Sequence, residues 1–160
     1  MSSTTVATKS INLPSGKVLV GSIYALCVLV PLAIFAAAIA FTDVDPYKSE
    51  GPVESMIGIS IFGTGALVIA VLLSLWMLRS PERAKVGAIS LGALSVLSLP
   101  FFWAGLPGIF GTSAAWVAGL TKDGRPVGGA GRIAGLAGVF IALLNVLVMV
   151  GGYLYAGLSD

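Results

Sequence analysis

The chain has 160 residues, of which 57% are hydrophobic and 10% are charged, with no histidine and one cysteine. An ordinary soluble domain carries about 25% charged residues, so this chain is predicted to lie in a membrane. Its net charge of +2 is too small for a nucleic-acid binder, which concentrates basic residues on one surface. Without histidine, and with Cys27 as the single thiol, the usual zinc ligands and nucleophile–base pairs are missing. No metal, no cofactor and no enzymatic activity are therefore predicted.

Three uncharged apolar runs are long enough to cross a bilayer as helices. They cover residues 18–41, 55–78 and 133–158. At about 1.5 Å per residue each spans about 36 Å or more, which exceeds a hydrocarbon core of roughly 30 Å. They are predicted to be three clear membrane spans.

A fourth uncharged run, residues 86–120, is too long for one span, because as a single helix it would extend about 52 Å. Pro100 and Pro107 frame the sequence P-F-F-W-A-G-L-P-G, where proline removes backbone donors and glycine permits a sharp reversal. The sequence predicts a helical hairpin with its tip near Trp103 and arms at 86–103 and 104–120. The second arm has few large apolar residues, so it either spans beside a neighbour or is re-entrant.

These elements define an all-α integral membrane protein with about five membrane segments, three clear spans plus a hairpin. Residues 1–17 form a cytoplasmic tail and 18–78 a two-helix membrane unit with an acidic outer loop at 42–54. Residues 79–160 form one domain of hairpin and last span. The first run follows Lys9 and Lys17 and ends in the small-x-small sequence Ala38-Ile39-Ala40. That pattern also fits a signal-peptidase site, but the length of the run favours a retained helix.

Charge sets the orientation. With a hairpin, eight of the nine basic residues fall on one side of the membrane, and Lys and Arg prefer short cytoplasmic loops. The N-terminus is therefore predicted inside and the C-terminus outside. Aromatic residues follow this pattern, with Trp76 and Trp116 near the inner interface and Trp103 and Tyr153 near the outer one. Six basic residues are predicted to set topology and meet anionic lipid headgroups: Arg79, Arg83, Lys85, Lys122, Arg125 and Arg132.

Close helix packing is predicted from small residues and one amide. Asn145 lies near the middle of the last span and is expected to form an interhelical hydrogen bond. Small residues recur at close to four-residue spacing, which gives flat helix faces that approach closely. The hairpin arm and the last span are expected to pack together, although one ladder could instead face a second copy or another protein. The ladder residues are Gly111, Ala115, Gly119, Gly131, Gly135 and Gly138.

The loop at 42–54 concentrates acidic residues. Asp43, Asp45, Glu50 and Glu54 lie within it, but their spacing matches no calcium-binding loop. They are predicted to form a solvated surface that a partner could contact.

Residues 86–150 combine the motifs P-G-I-F-G-T-S-A-A-W-V-A-G-L, G-G-A-G-R and I-A-G-L-A-G-V-F. This part resembles the Gly-rich hairpin domain of unknown function found in small bacterial integral membrane proteins. The resemblance implies a multi-pass protein of the bacterial cytoplasmic (inner) membrane and is consistent with the hairpin. It implies no activity.

The sequence favours a non-catalytic accessory or scaffolding subunit of a membrane protein complex, because no Asp, Glu, Lys, Arg or His lies inside the apolar runs. Its expected partners are membrane lipids and other membrane subunits, with a homo-oligomer possible and no nucleic acid. The alternative is a homo-oligomeric channel or small-molecule transporter. Its polar path would be lined by Ser60, Thr64, Ser90, Ser95, Ser98 and Asn145.

Overall fold

A computed structural model describes residues 12–41 and 51–159, and every regular element in these ranges is helical. The first rod is continuous and consists of α1 (Gly16–Tyr24), a π-helical turn (Ala25–Leu29) and α2 (Val30–Phe41). It is followed by α3 (Pro52–Met77), α4 (Pro81–Leu97), a 3-10 helix (Leu99–Ala104), α5 (Leu106–Val117) and α6 (Ala130–Ser159).

Three stretches are long and apolar enough to cross a membrane, namely Gly16–Phe41, Pro52–Met77 and Ala130–Tyr153. The predictions of an all-helical fold and of three helices long and apolar enough to span a membrane are confirmed. The two arms between them are shorter than the sequence predicts. At about 1.5 Å per residue, α4 is about 25 Å long and α5 about 18 Å, so α5 alone falls well short of a bilayer of roughly 30 Å.

The ends of the hairpin arms have local causes. Ser80 caps α4, its Oγ accepting from the Arg83 amide at 3.3 Å, and Pro81 takes the first helical position, where its missing N–H costs nothing. After the last residue of α5, Gly119 has φ +77°. The amides of Gly119 and Leu120 bond back to the carbonyls of Trp116 and Ala115, which is the Schellman ending that glycine favours.

The short helix α5 is the centre of the molecule. All its residues from Pro107 to Val117 are buried, and it packs against α1, α3, α4 and α6. Irregular backbone and polar helix ends are tolerated at membrane depth only when protein encloses them. The surrounding helices provide that enclosure for α5 and for the 3-10 helix before it.

One face of α6 is built for close packing against this centre. Its buried positions through most of the helix alternate at spacings of four and three residues, which is one stripe of a helix. Most of these residues are small, so the neighbouring backbone approaches closely. The stripe consists of Gly131, Gly135, Gly138, Ala142, Asn145 and Met149.

The π-helical turn in the first rod lies directly before Pro31. The Val30 amide bonds to the Ala25 carbonyl, and Pro31 has no amide hydrogen to continue the regular ladder. In this turn Cys27 is fully buried and faces the hairpin at Gly105, where an added Cβ would lie 2.7 Å from Cys27 Cβ. Gly105 has φ +74°, so the tip needs glycine both for its backbone conformation and for this contact.

Candidate functional site

Asn145 connects the last span to both halves of the hairpin tip. Its Oδ1 accepts a hydrogen bond from the Gly108 amide at 3.0 Å, and its Nδ2 donates to the Phe102 carbonyl at 3.0 Å. Gly108 lies in the first turn of α5, where backbone amides have no partner within the helix. Asn145 therefore acts as a cap supplied by another helix, and its side chain is almost fully buried.

Other polar side chains at depth also bond to backbone. Ser95 Oγ of α4 donates to the Pro107 carbonyl at 2.8 Å, which joins the two hairpin arms. Ser98 donates to the Ser95 carbonyl, and Thr112 bonds to carbonyls one turn earlier in α5. Each bond satisfies a buried hydroxyl, which would cost about 1–3 kcal/mol if it were left without a partner.

The small residues of the hairpin and the last span meet at one point of closest approach. A Cβ built on Gly111 would overlap the carbonyl oxygen of Gly138, and one on Gly138 would overlap that of Gly111. One turn away along α6, a Cβ on Gly135 would lie 2.5 Å from Ala118 Cβ. Ala115 is fully buried in the same helix as Gly111.

Two of the predicted ladder residues lie elsewhere. Gly119 is not on a helix face, because α5 ends at Val117 and Gly119 forms the left-handed turn after it. Gly131 starts the buried stripe of α6, but it faces Val127 and Lys85 rather than α5. A four-residue spacing in the sequence could not show that the helix stops before Gly119.

The six predicted topology residues lie on exposed positions around one end of the bundle. Lys85 contacts the start of α6 at Gly131, and the Lys122 amide bonds to the Pro14 carbonyl just before α1. The Arg83 guanidinium lies 5.0 Å from the centre of the Trp76 ring, a cation–π contact. This end, called the basic end below, carries Arg79, Arg83, Lys85, Lys122, Arg125 and Arg132.

Asp123 fixes the basic end, and sequence reasoning missed this role. Its Oδ1 accepts from the Gly16 amide at 2.6 Å and from Thr121 Oγ1 at 3.1 Å. A carboxylate at a helix N-terminus satisfies a free amide and complements the helix dipole. Asp123 thus caps α1 from a loop that is distant in sequence, and no local pattern could indicate its partner.

Trp116, predicted near the inner membrane interface, lies close to the basic end but inside the protein. It is almost fully buried under the first turn of α1, where any Cβ on Gly16 would overlap its indole ring. The slot exists because Gly16 has no side chain. Its Nε1 has no hydrogen-bond partner within the described residues.

Of the predicted acidic surface, only Glu54 can be placed. Asp43, Asp45 and Glu50 lie outside the described residues. Glu54 is exposed in the first turn of α3 and borders a cavity together with Trp103. Within residues 12–41 and 51–159, no three His, Cys, Asp or Glu side chains come together as a metal site.

The polar residues of the alternative channel path do not converge on one surface. Ser95, Ser98 and Asn145 are buried and bonded to hairpin backbone. Ser60 and Thr64 line a shallow groove on the face of α3 that points away from the bundle, and Ser90 is exposed on α4.

The chain matches no family model, and comparisons with curated proteins and with solved structures find no similar chain. The resemblance of residues 86–150 to a bacterial hairpin domain therefore stays a prediction.

Proposed function

We propose that this chain is a non-catalytic accessory or scaffolding subunit of a membrane protein complex in the bacterial cytoplasmic membrane. The observation that carries the proposal is that its buried polar side chains bond to the protein's own backbone. Asn145, Ser95 and Thr112 face backbone of the hairpin at hydrogen-bonding distance. A channel or coupled transporter needs polar or ionisable groups that face a solute path. Here these groups hold the fold together instead.

The proposed topology has three spans and one re-entrant hairpin. In this topology α4, the 3-10 helix and α5 enter and leave the bilayer on the cytoplasmic side, with the N-terminus inside and the C-terminus outside. The short length of α5 and the burial of its residues from Pro107 to Val117 favour the re-entrant alternative over a separate crossing. The clustering of exposed Lys and Arg at the basic end favours that end as the cytoplasmic one.

The face of α3 that points away from the bundle offers a surface for a partner helix. Gly65 opens into a shallow groove, and a Cβ built there would meet no atom within 4 Å. Ile61 and Ile69 flank it and are more than half exposed. A half-buried glycine with open space above it, between apolar side chains, allows a second helix to approach closely. The groove is lined by Ser60, Ile61, Thr64, Gly65, Val68 and Ile69.

Purification from the native membrane in mild detergent tests this proposal. We expect stoichiometric, unrelated polypeptides to accompany the chain, and we expect Gly65→Leu to reduce their recovery without unfolding the protein. Gly151→Leu is the matched control, since Gly151 of α6 also faces open space. Recovery of a pure homo-oligomer that conducts ions or solute in liposomes would contradict the proposal and favour the channel.

A further inference from the structure

A cavity of about 450 Å³ lies at the end of the bundle opposite the basic end. Four elements border it, namely α2, α3, the 3-10 helix and α6. Trp103 of the 3-10 helix faces α3 at Gly58, and Ala104 contacts α3 further along, at Gly63. The hairpin turns back at this level and leaves space between the long helices. The lining consists of Phe35, Glu54, Ser55, Gly58, Ile59, Trp103 and Tyr153.

Three aromatic rings from three different elements line this cavity. The rings of Phe35 and Tyr153 meet edge to face, with centres 6.2 Å apart and planes at 86°. The Trp103 ring also packs edge to face on Phe62, with ring centres 5.7 Å apart and planes at 78°. Its indole also lies against Gly58, where an added Cβ would be 3.2 Å from the ring. The faces of such rings carry partial negative charge and attract cations.

A carboxylate stands at the edge of the same cavity. Glu54 lies in the first turn of α3 and is a lining residue. A carboxylate accepts several hydrogen bonds at once. Glu54 can therefore interact with a cationic ligand in addition to its contacts within the protein.

We propose that this cavity binds an organic ammonium group, held between the rings of Phe35, Trp103 and Tyr153 with Glu54 as its counter-ion. Aromatic rings combined with a carboxylate suit an alkylated ammonium, because methyl groups pack on the rings while the positive charge is attracted to both. A neutral apolar ligand gains nothing from Glu54. A lipid headgroup and a free quaternary amine both supply such a group. This site goes beyond the proposed scaffolding function and does not depend on it.

Binding of labelled choline to the purified full-length protein tests the site. The protein is placed in nanodiscs of phosphatidylglycerol, which carry no ammonium group, and binding is measured by equilibrium dialysis. We expect saturable choline binding and no competition from 3,3-dimethyl-1-butanol, the uncharged analogue of the same shape. We expect Glu54→Gln to weaken binding about ten-fold or more and Trp103→Leu about three-fold or more.

Two matched variants control for general effects. Glu82→Gln removes a first-turn carboxylate of α4, and Trp76→Leu removes a half-exposed indole, both at the basic end. Each should leave choline binding unchanged. Thermal unfolding of every variant identifies any that fails to fold, and Phe35→Leu provides a second test of the rings if Trp103→Leu does not fold.

The source of the ammonium group is distinguished by the bilayer. If a lipid headgroup occupies the cavity, nanodiscs of phosphatidylcholine abolish the binding of free choline. If the ligand is a free amine, binding is the same in both lipids. Either result supports the site. Absence of saturable binding in phosphatidylglycerol, equal binding of the uncharged analogue, or unchanged binding by folded Glu54→Gln and Phe35→Leu would overturn it.

Discussion

Gly108 and Asn145 join the buried helix to the last span through a single hydrogen bond, from the Gly108 amide to Asn145 Oδ1 at 3.0 Å. The loop that follows α5 is fixed in a similar way, since Asp123 accepts from the Gly16 amide of α1. At one end of the hairpin a distant side chain therefore satisfies hairpin backbone, and at the other end a side chain of the following loop satisfies the backbone of α1. This arrangement lets a helix of about 18 Å lie inside a bundle of spans.

Asn145→Leu is expected to destabilise the protein by about 1–3 kcal/mol. The substitution leaves the Gly108 amide without its partner in an apolar setting, while the Phe102 carbonyl loses the Asn145 bond and keeps the Gly105 amide. Reversible unfolding by SDS in mixed micelles measures the loss. The control is Leu147→Ala on the same helix, at a position 67% exposed, which should change stability much less. Normal stability with selective loss of a transport activity would contradict the structural role.

Gly138→Leu is expected to prevent native packing of α6 on α5. A side chain there would overlap the backbone of Gly111, and overpacking of this kind costs about 1–3 kcal/mol or more. Size-exclusion chromatography and protease resistance in detergent report the change. Gly152→Leu on the same helix should behave as wild type, because a Cβ at Gly152 meets no atom within 4 Å. Equal behaviour of the two variants would mean that these helices do not touch at Gly138.

Gly16→Ala tests the slot that holds Trp116. Alanine is normally favoured over glycine in helices by about 1 kcal/mol, yet here its methyl group would overlap the indole. We expect a lower unfolding temperature and a changed tryptophan emission spectrum. Gly21→Ala in the same helix meets no atom within 4 Å and should be neutral or stabilising. A stabilising Gly16→Ala would show that Trp116 lies elsewhere.

Asp123→Ala is expected to loosen the attachment of the loop to α1. Asp123 satisfies the Gly16 amide beside the N-cap Ser15, and loss of a capping hydrogen bond costs about 0.5–2 kcal/mol. Thr121 also loses its partner. Hydrogen exchange at the amides of the first turn of α1 should accelerate. Arg125→Ala removes an exposed charge from the same loop and should leave those amides unchanged. Exchange that is equally slow in Asp123→Ala and wild type would exclude the cap.

The sequence was sufficient to predict the long helices and the place of the reversal. Uninterrupted apolar length identified the three spans, and Pro100, Pro107 and Gly105 indicated where the chain turns. The predicted residue ranges of the two hairpin arms were less accurate. The arms predicted at 86–103 and 104–120 are helical at Pro81–Leu97 and Leu106–Val117, because a proline following a capping serine started α4 earlier and the 3-10 helix replaced its end.

Contacts between distant residues were beyond local sequence patterns. Asn145 was expected to bond to another helix, but its two backbone partners were not predictable. The burial of Trp116 depends on the missing side chain of Gly16, and the cap from Asp123 depends on the fold of the loop. Each of these requires the packed structure, since spacing along one helix says nothing about what lies opposite.

The central claim is that the hairpin returns the chain to the side on which it entered. Single cysteines at positions 82, 125 and 55, placed in a Cys27→Ala background, are labelled with a membrane-impermeant maleimide in sealed vesicles of both orientations. The account predicts that positions 82 and 125 react from the same side and position 55 from the opposite side. Reaction of positions 82 and 125 from opposite sides would contradict it.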